Sequence, residues 1–343
     1  MSTSILPARP TGREEAWRFT PVSELTRLYD AELTDAAVLV TVEAPDGVTA
    51  APDKVVVAAD SHPQEPIVVT VTGRDARAGA HALTVEIGPH AIATLLLHFG
   101  GDAAVATDLD LTVGDGARLT LVTVHDWAAG GLHLDAQRIT VGRDAQLSQT
   151  TVTLGGGLVR HDVRIGFAGP GGDVHVGGLL GAGAPQHLEH RLRVEHSAPH
   201  CRSRVVSKAV LAAEGAHTVW VGDVFIGAQA IGTDTYETNR NLVLVDEARA
   251  DSVPNLEIET GEVAGAGHAS ATGRFDDEQL FYLRSRGIDE ATARRLVVRG
   301  FLAEVLDPLA VVPGLAPLHH DLTERLAAIT LGPRGSHAVE ASA

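Results

Sequence analysis

Apolar and polar residues alternate along most of the chain from Val38 to about Ala264, in short runs that are rich in Val, Leu and Thr. Gly, Asp, Asn and Pro separate these runs. A two-residue period bounded by turn residues predicts β-strands rather than helices in this region. The predicted strands are Ala37–Glu43, Val55–Ala59, Pro66–Thr72, Leu83–Ile87, Ile92–Phe99, Asp108–Val113, Arg118–His125, Gln137–Val141, Gln149–Leu154, Leu158–Phe167, Asp173–Leu180, Leu188–His196, Arg202–Leu211, Thr218–Ile226, Asn241–Val245 and Leu256–Glu259.

A short motif recurs within this array. Ile87–Ala91 resembles Val113–Ala117, which resembles Val141–Ala145, at intervals of 26 residues (87 to 113) and 28 residues (113 to 141). In each copy an apolar strand end is followed by a glycine turn and a small alanine that we expect to point inward. This period fits one coil of a solenoid made from two or three short strands, whose stacked coils share a column of buried side chains. An antiparallel sandwich is the competing architecture.

The run Leu188–His196 shows the alternation most clearly. Leucine, valine and histidine occupy one parity, and Glu189, Arg191, Arg193 and Glu195 occupy the other. Because successive side chains of a strand point to opposite faces, the pattern predicts that the charged face is solvated or pairs with neighbouring strands.

Helical patterns occur at the two ends of the chain. Near the N-terminus, Trp17 and Phe19 are expected to anchor a polar segment that ends in a short helix at Val22–Tyr29. After the strands, acidic residues begin and basic residues end a predicted helix at Asp277–Arg286, for which Asp276 is the predicted N-cap.

Two further helices are predicted beyond this point. One runs over Glu290–Leu306, with Asp289 as its cap and Pro308 following its end, and the other over Leu318–Ile329. The chain is therefore expected to comprise an N-terminal tail with a short helical segment (residues 1–36), a β core (37–274), a C-terminal helical domain (275–330) and a disordered tail (331–343).

Composition narrows the classes of function. The 343 residues are 44% hydrophobic but only 4% aromatic, which favours thin core layers of Val, Leu and Ile. The formal net charge of −17 argues against a general binder of nucleic acid or of anionic membranes, because phosphate contacts need clustered Lys and Arg. No apolar run approaches the roughly 18 residues of a membrane span. The N-terminus lacks the charged-then-apolar pattern of a signal peptide, so we expect a cytoplasmic protein.

His268 is the candidate metal ligand. It lies in Val263–Gly273, a segment of small residues that we expect to cross from the strands to the helices and to leave room for another chain or a ligand. Neutral imidazole is a good ligand for Fe or Zn. One histidine cannot hold an ion, so the other ligands would come from elsewhere in the chain or from a partner. A hydrogen-bonded histidine at a packed junction is the alternative.

Other polar candidates have simpler structural explanations. His190 and His196 share a strand face but lie about 20 Å apart along it, too far to bind one ion together. The one cysteine, Cys201, follows His200, yet adjacent strand residues point to opposite faces, which favours a quiet semi-buried thiol over a nucleophile. A single cysteine also excludes an intrachain disulfide.

Carboxylates recur at Asp108, Asp110 and Asp115, and again at Asp234 and Glu237. Asp108 and Asp110 share a strand face, as acid–base work or a Ca²⁺ site in a polysaccharide-acting β-solenoid would require. Acids at turns and strand edges explain the same residues more simply.

Several segments match the motifs of one known family. Glu14–Thr20 has the order acid, Trp, Arg, aromatic, Thr, and Arg160 follows a central glycine turn. Thr233–Leu242 is similar to the signature TDxYQxNRNLLL, with Glu237 where that signature has Gln, and Pro254–Ile258 is similar to P-x-LEI. Leu280–Ile288 contains FYLRSRGI. In these motifs the chain resembles the SufB/SufD family, the scaffold proteins of the SUF iron–sulfur cluster assembly machinery, and more closely its SufD branch.

The resemblance implies a fold, partners and a site. The family fold is mainly β, a right-handed parallel β-helix (β-solenoid) flanked by helical segments. The implied partners are a SufB homologue, as a heterodimer, and the ABC-type ATPase SufC, which docks on the C-terminal helices at Phe281–Leu306; a homodimer is possible for the isolated chain. His268 matches the SufD histidine at the SufB–SufD interface, where a nascent cluster is proposed to form. The implied cofactor is therefore a transient Fe–S cluster shared with the partner, in a protein that is not an enzyme; the motifs assign no flavin.

The chain departs from the family at one position near this histidine. Many relatives carry Cys two residues before it, where this chain has Ala266. Because thiolates are the usual cluster ligands, the sulfur ligands would come mostly from SufB, and His268 would be the contribution of this chain. The rival functions are a β-solenoid enzyme acting on polysaccharide and a self-associating structural module without metal.

Overall fold

The structure is a computed structural model that describes residues 5–275 and 277–329. Within them, the chain forms eighteen strands, of which most after the first four are ten residues long. The predicted cap Asp276 and the predicted disordered tail at 331–343 lie outside the described residues. The strands are β1 (Val38–Glu43), β2 (Val48–Ala51), β3 (Lys54–Val57), β4 (Ile67–Gly73), β5 (Ala78–Ile87), β6 (Ile92–Gly101), β7 (Ala104–Val113), β8 (Arg118–Trp127), β9 (Leu132–Val141), β10 (Gln146–Thr153), β11 (Leu158–Phe167), β12 (Asp173–Ala182), β13 (His187–His196), β14 (Arg202–Leu211), β15 (His217–Ile226), β16 (Asp234–Val243), β17 (Arg249–Ile258) and β18 (Gly265–Arg274).

These strands form two nine-stranded sheets that face each other. The first sheet has the order β1-β4-β6-β8-β10-β12-β14-β16-β18 and the second has the order β17-β15-β13-β11-β9-β7-β5-β3-β2. Neighbouring strands are parallel except for β1 with β4 and β2 with β3, at the N-terminal end. From β3 onward, consecutive strands alternate between the sheets, so the chain winds as a β-solenoid of about eight turns. The predicted fold class is confirmed, and the antiparallel sandwich is excluded.

The repeated turn motif sets the period of the solenoid. Ala91, Ala117 and Ala145 are fully buried in the core between the sheets, as their recurrence predicted. Two strands make one coil. A Cβ atom on Gly114 would lie 2.7 Å from the backbone nitrogen of Pro89 in the previous coil, and one on Gly142 would lie 2.9 Å from that of Asp115. Glycine is therefore required where successive turns stack this closely.

The N-terminal segment covers the outer face of the second sheet. It contains 3₁₀ turns at Glu15–Trp17 and Val22–Leu25 and the short helix α1 (Thr26–Tyr29), which together confirm the predicted helix at Val22–Tyr29. Leu25 and Leu28 are buried there against alanines and leucines of β5, β7, β9 and β11.

The C-terminal helices cover the outer face of the first sheet. They are α2 (Asp277–Ser285), α3 (Glu290–Ala310) and α4 (Ala316–Ile329). Asp289 caps α3, since its carboxylate accepts a hydrogen bond from the Thr292 amide at 3.0 Å, as the sequence predicted. The predicted end of α3 at Leu306, before Pro308, is wrong: the helix continues through Pro308 to Ala310. No helix among the described residues is long and apolar enough to cross a bilayer.

One further expectation was wrong. The segment around His268 is not a crossing but the regular strand β18, which pairs in parallel with β16. The charged face of β13 pairs with a neighbouring strand, which is one of its two expected states, because the buried Glu189 side chain binds Arg160 of β11 beneath the N-terminal segment.

Candidate functional site

His268 lies on the last strand of the solenoid, at the end opposite to the antiparallel strands. In the parallel register it stands directly over Glu237 of β16. Paired residues of parallel neighbours point to the same face, and Glu237 points into the core. His268 therefore continues an interior column of side chains, yet it is exposed, because β18 is the last strand of its sheet in the described part of the chain. We call this surface, formed by β17 and β18, the open end.

Two asparagines hold the open end together. The Asn239 carbonyl oxygen accepts hydrogen bonds from Ser252 Oγ of β17 at 2.7 Å and from Ser270 Oγ of β18 at 3.2 Å. The Asn241 amide donates to Ser252 Oγ at 2.8 Å and to Thr272 Oγ1 at 2.9 Å. These bonds tie the last strand of each sheet to the coil beneath, which gives both asparagines of the segment Thr233–Leu242 a structural role.

Glu237 is an unusual neighbour for His268. Its side chain is buried, and neither carboxylate oxygen has a hydrogen-bond partner among the described residues. Burial, and to a lesser extent the nearby Asp223 carboxylate, raises the pKa of Glu237 to about 8. The group is therefore neutral at pH 7 and places no negative charge beneath His268.

His268 has too few ligands of its own chain to hold an ion. Within residues 5–275 and 277–329, it does not belong to any group of three His, Cys, Asp or Glu side chains that are close enough to share a metal ion. Ala266, two residues earlier on the same face of β18, offers no donor atom. His268 therefore presents one exposed imidazole on a surface that a second chain can reach.

The other sequence candidates are engaged elsewhere. His190 and His196 are buried, with hydrogen bonds to Thr153 and Ser203 respectively, which agrees with a structural explanation of both side chains. Cys201 is buried, and burial raises the pKa of its thiol, in keeping with a quiet side chain.

The paired acids of β7 do not form a free acid–base pair. The Asp108 carboxylate is bound by the Arg138 guanidinium, with N–O distances of 2.8 and 3.0 Å. This ion pair agrees with the structural explanation of these acids, not with a polysaccharide-cleaving pair.

Three motif residues that are distant in sequence meet on the outer face of the second sheet. Arg160 binds Glu189 at 2.7 Å and Thr20 at 2.9 Å, and its guanidinium lies 4.1 Å from the centre of a Trp17 ring. Although burial opposes it, the hydrogen bond from His187, the charge of Arg160 and the hydrogen bond from Thr20 lower the pKa of Glu189 to about 2. The cluster fastens the N-terminal segment to the solenoid and is far in sequence from His268.

Sequence reasoning missed a set of buried polar side chains in the middle coils, namely His125, Asp135 and His161. Asp135 and His161 occupy the same register position on β9 and β11, 26 residues apart. The sequence does carry a signal for Asp135 and His161: their spacing matches the interval between the glycine turns. Residues that are one coil apart stack in one column.

Comparison with known proteins agrees with this architecture. Residues 69–301 match the family model for the SufBD core domain of the SUF system of FeS cluster assembly. An iron–sulfur cluster assembly SufBD family protein of Mycobacterium tuberculosis is 48% identical over 339 residues, which cover 88% of this chain and 85% of the relative. A family protein of Mycobacterium leprae is 43% identical, covering 92% and 91%. The iron–sulfur cluster assembly protein SufD of Escherichia coli is 28% identical, covering 70% of this chain and 57% of that protein. The chain therefore belongs to the SufBD family of iron–sulfur cluster assembly proteins.

Proposed function

We propose that this chain is a non-catalytic scaffold subunit that pairs with a SufB homologue through its open end. In this proposal a nascent iron–sulfur cluster, the cargo of the complex, is built where the two subunits meet. Membership of the family and similarity to a protein named SufD support this pairing. The position of His268 carries the proposal, since its exposed imidazole continues the interior column at the end of the solenoid where the described strands are all parallel.

The chemistry of the open end supports a shared site. His268 supplies a nitrogen ligand, and with Ala266 beside it the thiolate ligands come from the partner. Beneath the imidazole, Glu237 is neutral and the amides of Asn239 and Asn241 hold both terminal strands in place. In this proposal, hydrogen bonds within this chain hold the strand that carries His268 in place at the site.

The proposed docking surface for the ATPase SufC lies on the C-terminal helices, over Phe281–Leu306. The Phe281 side chain is 74% exposed and that of Tyr282 is 56% exposed, on a helix that follows directly after β18. Two large aromatic side chains in water are typical anchors of a protein interface. ATP-driven movement of the docked subunits would be transmitted through α2 and α3 to the open end.

Substitution of His268 tests the ligand role. The variant His268→Ala is co-expressed with the SufB and SufC homologues, and iron and acid-labile sulfide are measured per complex under anaerobic conditions. We expect both to fall together by about tenfold, as for other losses of metal-site groups. The matched control is His200→Ala, which removes another exposed imidazole at a turn away from the open end. Equal cluster loading in the His268 variant, with an intact complex, would remove the ligand role.

A further inference from the structure

A group of imidazole and carboxylate side chains lies inside the solenoid, well away from the open end. His125 comes from β8 in the first sheet, and Asp135 and His161 come from β9 and β11 in the second. One ligand atom from each residue lies within 4.8 Å of the others, and all three side chains are almost completely buried. Histidine, histidine and one carboxylate are the ligands that divalent iron and zinc favour in proteins.

The hydrogen bonds around this group fix the proton positions. Thr107 Oγ1 donates to Asp135 Oδ1 at 2.5 Å, so it accepts from His133 Nε2–H at 2.9 Å. The Nδ1 of His133 is then a bare acceptor, and His125 Nδ1–H donates to it at 3.1 Å. A neutral imidazole carries one proton. The Nε2 of His125 therefore presents a lone pair.

That lone pair has no partner. His125 Nε2 is buried without a hydrogen bond among the described residues, and it lies 3.8 Å from Asp135 Oδ2. A nitrogen lone pair that faces a carboxylate oxygen in a dry interior is unfavourable unless a positive charge lies between them. A bound cation satisfies both atoms at once.

The surrounding side chains complete the second layer of a metal site. Asp135 is oriented by Thr107 and by the Gln137 amide, which donates to Oδ2 at 2.9 Å, and His125 is oriented by His133. His161 Nδ1 now bonds Asp135 at 2.7 Å, while its Nε2 lies 3.3 Å from Thr151 Oγ1. Moving the one ring proton of His161 from Nδ1 to Nε2 frees Nδ1 for a metal and gives Thr151 a donor, with no net change in protonation.

We propose that His125, Asp135 and His161 bind one divalent first-row transition metal ion, of the Fe²⁺ or Zn²⁺ class, inside the solenoid. The ligand atoms are His125 Nε2, Asp135 Oδ2 and His161 Nδ1. The ion crosslinks the two sheets at the middle coils. Because the ligands are buried, the ion enters while the chain folds and exchanges slowly afterwards.

The test uses Co²⁺ as a visible probe in the full chain. The protein is unfolded in denaturant that contains a chelator and is then refolded with Co²⁺. A desalting column run in EDTA strips ions from surface histidines. We expect one Co²⁺ per chain to remain, with the visible absorption of a protein-bound ion, and the ion to raise the unfolding temperature. Retention is expected to be the same in a His268→Ala background, so this result is independent of the proposed function.

Variants identify the ligands. Asp135→Asn and His125→Gln should lose the retained ion, and Thr151→Val, a milder change, should weaken binding by about tenfold or more. The matched control is His196→Gln, which removes another buried imidazole outside the group and should retain the ion. Circular dichroism checks the fold of each variant. No retained Co²⁺ in the wild type, or equal retention in the correctly folded Asp135→Asn or His125→Gln variants, would overturn the proposal.

Discussion

At the scale of single residues, two buried glutamates show how surroundings decide charge. Glu189 is bound by Arg160, Thr20 and His187, and its pKa is lowered to about 2. Glu237 has no hydrogen-bond partner among the described residues, and burial raises its pKa to about 8. Glu189 is therefore an anion that binds the N-terminal segment, and Glu237 is a neutral side chain beneath His268.

The variant Glu189→Gln tests the anion. It removes the buried carboxylate that binds Arg160 and leaves that guanidinium only the more exposed Asp162 carboxylate at 3.2 Å, so we expect the free energy of unfolding at pH 7 to fall by about 3–5 kcal/mol. The folded-state pKa lies below the ordinary value for glutamate, so the stabilisation is present above about 4.5 and is lost as the pH falls towards 2. Urea titrations between pH 7 and pH 3 measure this difference. A variant whose stability matches that of the wild type at pH 7 would refute the role of the pair.

Glu195→Gln is the matched control on the same face of β13. Its side chain is 47% exposed, and its ion pair with Arg193 lies near the surface. Exposed pairs contribute about 0–1 kcal/mol, so this variant should change stability little.

At the scale of secondary-structure elements, contacts with the rest of the fold outweigh local preference. Strand β18 is made largely of Gly, Ala and Ser, which have weak strand preference, and it is a strand because β16 supplies its hydrogen-bonding partner. Helix α3 passes through Pro308, which costs about 3 kcal/mol within a helix. Leu306 and Leu309, on either side of the proline, are buried against the first sheet and α4, and their burial offsets that cost.

The variant Leu302→Ala tests the packing of α3. Leu302 is 2% exposed in the apolar cluster between the helix and the sheet, so we expect a loss of about 2–5 kcal/mol in the free energy of unfolding. Leu296→Ala, on the same helix at 46% exposure, is the control and should cost less than about 1 kcal/mol. Equal effects of the two variants in thermal or urea unfolding would show that α3 does not depend on this contact.

The sequence could predict features that depend on local patterns but not those that depend on contacts between distant parts of the chain. The coil period was predictable because Ala91, Ala117 and Ala145 repeat at fixed intervals and each faces the core. The burial of Glu189 was not, because the partner that covers it, Thr20, is 169 residues away along the chain. His268 was found through its motif, whereas its place at the end of an interior column depends on the register between strands, which no local pattern specifies.

At the scale of the whole molecule, the solenoid has two different ends and two covered sides. The N-terminal segment and the C-terminal helices cover the outer faces of the two sheets, and antiparallel strands occupy the N-terminal end. The open end and the exposed aromatic face of α2 are left for other chains. We expect these two surfaces to bind different partners.

The double variant Phe281→Ser with Tyr282→Ser tests the α2 surface. Both side chains are exposed, so stability should not fall, while recovery of the ATPase in a pull-down of the tagged chain should drop about tenfold or more. Val311→Ser removes another apolar side chain, 84% exposed after the end of α3, and serves as the control. Full recovery of the ATPase with the double variant would place its docking surface elsewhere.

The most direct measurement of the central claim is site-specific photocrosslinking in the assembled complex. A photoreactive amino acid is placed at Ala266 on the open end or, as the control, at Thr49 of β2 at the opposite end, both exposed positions. Complex formation is verified before irradiation. We predict an adduct with the SufB homologue from position 266 and none from position 49. An adduct from position 49 alone, or none from position 266 in an intact complex, would contradict the account.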